Sequence, residues 1–485
     1  MYKRQVYAKR EDLGPIRAYK WRGAFNCMAA LSQEARDKGI VAASAGNHAQ
    51  GVALAARVLN CHATIFMPRS TPEVKQTEVR RHGGRHVKIM LHGDCYDETA
   101  AAAHEYTETH GCTFVHPYDD LVTMAGQGTL ADEVVMSGEG PFDRAYVAIG
   151  GGGLAASVAC WLKKFWPHIK VIGVEGIDQA SMKTSIEQGR RVNLDYVDVF
   201  CDGTAVHIPG ELTYPLCREL VDEFVTVTNN EVCQAIRAMW ESSRVVPEPS
   251  GAMSLAGFLK QWNRGEVKPE EKSFVVISGA NMDFTHLTQI ARQAGIGNHE
   301  TRYLRISMDS KRGQVLKYLR HIPQDTTLVD VQYGKTEGNT QHPVFGIAAS
   351  DEDLDTIRTT LKKKGIEFED ISEDDDVRFR MIHYQPELCQ HPLFVHIEFP
   401  ERAGAFLDFM ERIADLASLC YFNYTYTGER VGRALVGMEF DTAEDRETIR
   451  KRMGAFSKNI IRSIREISPE AFQRIMGSRQ LTGNH

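Results

Sequence analysis

The sequence predicts an α/β chain built on open, twisted, mostly parallel sheets, followed by two smaller α+β units. Three observations carry that prediction. Over the first 300 residues, short β-type runs alternate with amphipathic helical stretches, as in a parallel sheet linked by crossover helices. The runs are apolar throughout, as strands covered on both faces require. After about residue 300 the pattern changes, and the chain repeats itself at an offset of 91 residues.

In chain order the strand candidates are Gly39 to Ala43, His62 to Met67, His86 to Met90, Ala145 to Ile149, Lys170 to Val174 and Phe274 to Ile277. Helical patterns lie between them, among them His48 to Val58 and Leu154 to Phe165. The repeat begins with Tyr303-Leu-Arg-Ile-Ser-Met-Asp-Ser-Lys-Arg-Gly-Gln-Val-Leu316, matched by Phe394-Val-His-Ile-Glu-Phe-Pro-Glu-Arg-Ala-Gly-Ala-Phe-Leu407. Gly313 aligns with Gly404, Tyr333 with Tyr424 and Gly346 with Gly437. Each copy reads as strand, helix, strand, strand, helix. The expected division is residues 1–298, 299–372, a linker at 373–391 that opens on the acidic run Glu373 to Asp376, and 392–470.

Composition narrows the function. Lys plus Arg number 57 against 64 Asp plus Glu, a net charge of −7, which argues against a nucleic-acid partner. No window approaches the ~18 apolar residues of a membrane span. Met1 to Arg10 lacks the apolar core of a secretory leader. Ten cysteines are scattered without a CxxC pair, so neither a zinc site nor a disulfide framework is expected, and a reducing cytoplasm is the natural setting. No constellation of metal ligands is evident.

Four segments carry chemistry. Ala145-Tyr-Val-Ala-Ile-Gly150-Gly-Gly-Gly-Leu154 is a strand, a glycine run and a helix start. Glycines let backbone N–H groups approach an anion, and the helix dipole favours it. From Gly151 the run also fits G-x-G-x-x-A, with Glu175 ending the next strand, the outline of a dinucleotide site. A tight turn alone is the plainer alternative. The second segment, Ser44-Ala45-Gly46-Asn47-His48, also joins a strand to a helix and offers donors to a carboxylate. Ser44 or Asn47 could equally be a helix cap. Third, Lys20 lies between Tyr19 and Trp21, where desolvation would lower its pKa and suit it to Schiff-base chemistry. Fourth, Ser278 ends an apolar strand, placed either to cap a helix or to bond a heterocycle nitrogen.

These segments, with Ala125-Gly-Gln-Gly128 and Glu248-Pro-Ser-Gly-Ala252, closely resemble the threonine dehydratases, pyridoxal-phosphate enzymes of the tryptophan-synthase-β fold type. The resemblance spans nearly the whole chain and implies a two-lobed catalytic domain. It implies that Lys20 carries pyridoxal 5′-phosphate as a Schiff base and acts as the catalytic base. Gly150, Gly151, Gly152, Gly153 and Leu154 would hold the phosphate, Asn47 the ring hydroxyl and Ser278 the pyridine nitrogen. The loop of Ser44, Ala45, Gly46 and His48 would take the substrate carboxylate. The cofactor phosphate, near the β-hydroxyl in this fold type, would protonate the leaving group.

The repeats resemble the paired ACT-like regulatory subdomains of the biosynthetic, isoleucine-inhibited form, with effector turns at Gly313 and Gly404. The resemblance further implies L-threonine as substrate, L-serine as a secondary one, and a homotetramer. Relatives usually carry several dozen residues before the equivalent of Tyr7 to Asp12, and many have Ser where this chain has Ala18. A related serine racemase carries a serine at the position of Ala45, which implies elimination without racemisation here. The competing readings are a serine dehydratase or racemase, an NAD-dependent oxidoreductase, and a non-catalytic amino-acid sensor.

Overall fold

The computed structural model describes residues 6–297, 301–309, 327–332, 340–342, 344–348, 351–372, 374, 391–400, 409, 413, 416–425, 431–454, 456 and 461–476. The chain forms two compact units, Met1–Ala294 and Gly295–His485.

The first unit holds two parallel sheets. One runs in the order Tyr7–Arg10, Ser273–Ile277, Arg144–Ala148, Lys170–Gly176, Glu223–Val227. The other runs Val87–Leu91, Ala63–Met67, Ile40–Ala43, Thr113–Phe114. Successive side chains of a strand face opposite ways. Ala145 and Val147 therefore pack into one core with Leu154 and Val158, while Tyr146 and Ala148 pack into another with Ala252 and Met253. Two buried faces explain the continuous apolar runs. All six strand candidates form. Glu223–Val227 was not among them: it is an edge strand, mostly half-buried and interrupted by the polar Thr226. Thr113–Phe114 is too short to leave a pattern.

The second unit contains two four-stranded antiparallel sheets of identical topology. The first runs Thr327–Gln332, Val344–Ala348, Thr301–Ile306, Phe368–Asp370. The second runs Ser418–Thr425, Val431–Glu439, Leu393–Pro400, Ser463–Glu466. Over the first three strands of each copy their registers agree residue by residue. Tyr303 faces Gly346 as Phe394 faces Gly437. A bulge between Leu328 and Asp330 recurs between Leu419 and Tyr421. The 91-residue repeat is thus a duplication of structure, down to an irregularity. The fourth strand of each sheet adds to the five-element pattern expected from sequence. Gly313, Gly404, Tyr333 and nearly all of 373–391 lie outside the described residues.

Among the described residues no helix is long and apolar enough to cross a membrane, and no group of His, Cys, Asp and Glu is arranged to hold a metal ion.

Candidate active site

Lys20 opens the helix Lys20–Ala30. The segment before it is tied to the end of the Ser273–Ile277 strand: Tyr19 N–H donates to Ser278 O at 3.1 Å and Ala280 N–H to Arg17 O at 2.9 Å. Arg17 adopts a left-handed φ of 54°, which turns the chain into the site. The Lys20 ammonium donates to Pro117 O at 2.8 Å. It sits 5.3 Å from the Tyr19 ring centre and 5.9 Å from that of Tyr118. Burial lowers its pKa to about 8. The sequence suggested Trp21 as the second ring. Trp21 instead packs on Phe25 and on Ile16, Ala18 and Leu54.

His116 builds the turn that holds Lys20. Its Nδ1 accepts from Asp119 N–H at 2.7 Å and Tyr118 N–H at 3.3 Å. Burial pulls its pKa down to about 4, so it stays neutral and can accept.

Tyr118 then joins the lysine to the glycine run. A Cβ on Gly151 would lie 2.3 Å from the Tyr118 ring, and one on Gly153 would lie 2.6 Å from Tyr118 O. Gly152 has φ +97°, and Gly150 lies against the Thr204 backbone. Glycine is therefore required here by close approach and by conformation. Asp119 fixes the facing loop, accepting from the N–H groups of Glu211, Leu212 and Thr213. Thr213 Oγ1 in turn donates to Gly151 O. None of the backbone N–H groups of Gly150 to Leu154 finds an acceptor among the described residues. Buried donors at the start of a helix need an acceptor, and a phosphate supplies several. The Leu154 side chain packs in the core, leaving its N–H for the site.

Ser278 is buried, and its Oγ makes only a long contact to Ser250 O at 3.4 Å. That hydroxyl is free to turn toward a better acceptor.

Asn47 is the first residue of its helix and not a cap. Gly46 occupies the cap position without a side-chain bond, and Ser44 Oγ accepts from Gly46 N–H at 3.2 Å. The N–H groups of Ala45, Asn47 and His48 find no acceptor among the described residues, a second anion cradle at a helix start. The His48 side chain does not point there. Its Nε2 pairs with Val115 O at 2.8 Å, and burial pulls its pKa to about 3. His48 can serve a carboxylate only through its backbone N–H.

Glu175 does not serve a ribose. Its buried carboxylate accepts from the N–H groups of Met182 at 2.9 Å and Lys183 at 2.8 Å, starting the next helix. The dinucleotide outline therefore lacks its acidic residue.

Sequence reasoning named Lys20, the glycine run and Ser278, and the structure brings them together. It assigned no role to Tyr118, His116, Glu248 or Asn281. Their motifs were visible for Glu248 and Asn281. For Tyr118 and His116 no local signal existed.

A family model described as pyridoxal-phosphate dependent enzyme matches residues 1–279. Another, the C-terminal regulatory domain of threonine dehydratase, matches residues 389–462. A biosynthetic L-threonine dehydratase of Burkholderia multivorans is 37% identical over 448 residues, covering 91% of this chain and 88% of that protein. The mitochondrial threonine dehydratase of Schizosaccharomyces pombe is 35% identical over 440 residues, covering 89% and 72%. Among solved structures, the processed form of threonine deaminase isoform 2 from Solanum lycopersicum matches with a TM-score of 0.58 and 42% identity, over 60% of this chain and 83% of that one. Maize serine racemase matches with a TM-score of 0.55 and 30% identity, over 60% and 87%.

Proposed function

The chain belongs to the threonine dehydratase family of pyridoxal-phosphate dependent enzymes, and on that footing we propose that it converts L-threonine to 2-oxobutanoate and ammonia. The observation that carries this reading is the Lys20 amine, depressed to a pKa of about 8 and linked through Tyr118 to a cradle of unpaired N–H groups. An amine of ordinary basicity would be almost wholly protonated at neutral pH, and neither attacks an aldehyde nor accepts a proton in that state.

Pyridoxal phosphate, when bound, supplies a conjugated ring that delocalises the electron pair left at the substrate α-carbon. The residues of the chain do the rest. Gly150 to Leu154 would hold the phosphate by backbone N–H groups. Ser278 Oγ, a neutral hydroxyl, would partner the ring nitrogen without enforcing its protonation, unlike a carboxylate. That weaker stabilisation would favour prompt loss of the β-hydroxyl over transamination. The N–H groups at the Asn47–Val58 helix start orient the substrate carboxylate. Lys20 Nζ takes the α-proton. Tyr118 and Tyr19 flank the amine and limit water around it.

The second unit is the regulatory part of this reading, with isoleucine as inhibitor. The family match at 389–462 and the duplicated sheets support it, and extend it to the first copy at 299–372. A homotetramer in the cytoplasm completes the proposal. The test is oxo-acid formation from L-threonine, L-serine and D-serine, with and without isoleucine. L-Threonine should be turned over fastest, and isoleucine should slow it. Turnover of D-serine or L-serine alone would move the assignment to a serine dehydratase or racemase.

A further inference from the structure

Asn47 belongs to a closed hydrogen-bond network that the reading above leaves unused. Its Nδ2 donates to Glu248 Oε1 at 2.7 Å, and its Oδ1 accepts from Asn281 Nδ2 at 2.7 Å. Asn281 Nδ2 also donates to Ile16 O at 2.6 Å, and the Asn281 backbone N–H donates to Glu248 Oε2 at 3.0 Å. Glu248 is 4% exposed, and Gly279 presses on its carboxylate so closely that a Cβ there would lie 2.4 Å from Oε1. Both carboxylate oxygens are thus spent on N–H donors, and both hydrogens of Asn281 Nδ2 are spent on carbonyl oxygens. One hydrogen in the network is left over, the second on Asn47 Nδ2.

An asparagine amide has two ends of nearly equal size and opposite function. An ionised carboxylate only accepts, so wherever Glu248 is charged the Asn47 end beside it must be the nitrogen. We propose that Glu248 is a positioning residue that fixes the Asn47 amide with its nitrogen as the donor to the ring hydroxyl oxygen of the cofactor. This inference rests on Asn47 being the ring contact. A turned amide would set Oδ1 against an electron-rich oxygen, and two acceptors repel. Glu248 therefore favours the ionised ring oxygen without touching it. The cost is a buried carboxylate, whose pKa burial raises to about 7.

Glu248→Gln separates orientation from packing, because it keeps the volume. Glutamine offers one acceptor and one donor. The Asn281 backbone N–H cannot turn, so the glutamine oxygen must serve it, and the glutamine nitrogen then meets Asn47 Nδ2. Donor faces donor, and the Asn47 amide must turn or detach.

The readouts are the visible absorption maximum of the bound cofactor and its affinity for the cofactor-free chain. E248Q and N47A should show the same spectral shift, each with about ten-fold weaker cofactor binding, the loss of one good hydrogen bond. The double variant should bind no more than about two-fold weaker than N47A. If N47A keeps the wild-type spectrum and affinity, Asn47 is not the ring contact and the underlying reading falls. If N47A shifts while E248Q matches wild type, the orienting role of Glu248 is wrong. Additive losses in the double variant would also overturn it, since Glu248 would then act independently. Should E248Q fail to fold, N281A decides. It leaves Glu248 holding the amide nitrogen and should keep the wild-type absorption maximum. The N47A spectrum in N281A would assign the orientation to Asn281 instead.

Discussion

Lys20 has a pKa of about 8 because burial penalises its charge, with no cation needed beside it. Only the neutral amine attacks an aldehyde. The rate at which the cofactor-free chain develops visible absorbance with added pyridoxal phosphate should therefore climb about ten-fold per pH unit below 8 and level off above it. A stopped-flow series across pH 6 to 10 measures this, and a climb continuing to pH 10 would return Lys20 to ordinary basicity. Lys20→Ala should abolish both turnover and the visible band. Gly151→Ala should be nearly as damaging to cofactor binding, since its Cβ would sit 2.3 Å from the Tyr118 ring. Relieving that overlap costs roughly 1–3 kcal/mol, so titration should show affinity about five- to 150-fold lower. Ala45 bears on stereochemistry. Racemisation needs an acid–base group on each face of the planar carbon, and a methyl group transfers no proton. Ser44 is occupied in its own turn by Gly46 N–H. Chiral chromatography of a half-consumed L-serine reaction should find no D-serine, and Ala45→Ser should introduce some. Much of this scale was readable beforehand, because lysine, serine and glycine declare their chemistry locally. What was not readable came from distant chain: Tyr118 replaces Trp21 beside the amine, and His116 shapes the turn beneath it. The orientation of His48 was unreadable too, since a helix start shows which N–H groups are exposed but not where a side chain turns.

At the scale of elements, the strands were legible because burial on both faces leaves an unbroken apolar run. Ala145–Ala148 shows this, dividing its residues between two cores. Glu223–Val227 escaped because an edge strand carries a weaker pattern. The repeat was legible through three landmarks, and one of them falls at the same place in both sheets: Gly346 faces Tyr303 as Gly437 faces Phe394. The fourth strand of each sheet was hidden because its spacing differs between copies. Leu304 pairs with Asp370, whereas its counterpart Val395 pairs with Glu466, five residues farther along than the repeat would set it. We propose effector sites at the two glycine positions that the sequence repeat aligns, Gly313 and Gly404, both outside the described residues. Replacing either with a bulky residue should raise the isoleucine concentration for half-inhibition about ten-fold, a coupling loss of roughly 1.4 kcal/mol, with little change in uninhibited turnover. Inhibition curves unchanged in both variants would remove the effector from these turns.

The whole molecule divides into two compact units, Met1–Ala294 and Gly295–His485. The first holds every residue of the candidate active site and its own hydrophobic cores. A chain ending after the helix His286–Gly297 should keep threonine turnover and lose its response to isoleucine, as parallel assays of both forms would show. The division was anticipated from sequence by the change of pattern near residue 300, because a parallel, doubly covered sheet and an antiparallel, half-covered one have different hydrophobic periods. The central claim is that this chain is built around one amine. The direct measurement is borohydride reduction of the intact, cofactor-loaded protein, followed by proteolysis and mass spectrometry of every lysine peptide. The account predicts that the visible band bleaches, activity is lost, and the reduced pyridoxyl group is found on Lys20 alone. A pyridoxyl group on any other lysine, with Lys20 unmodified, would contradict it.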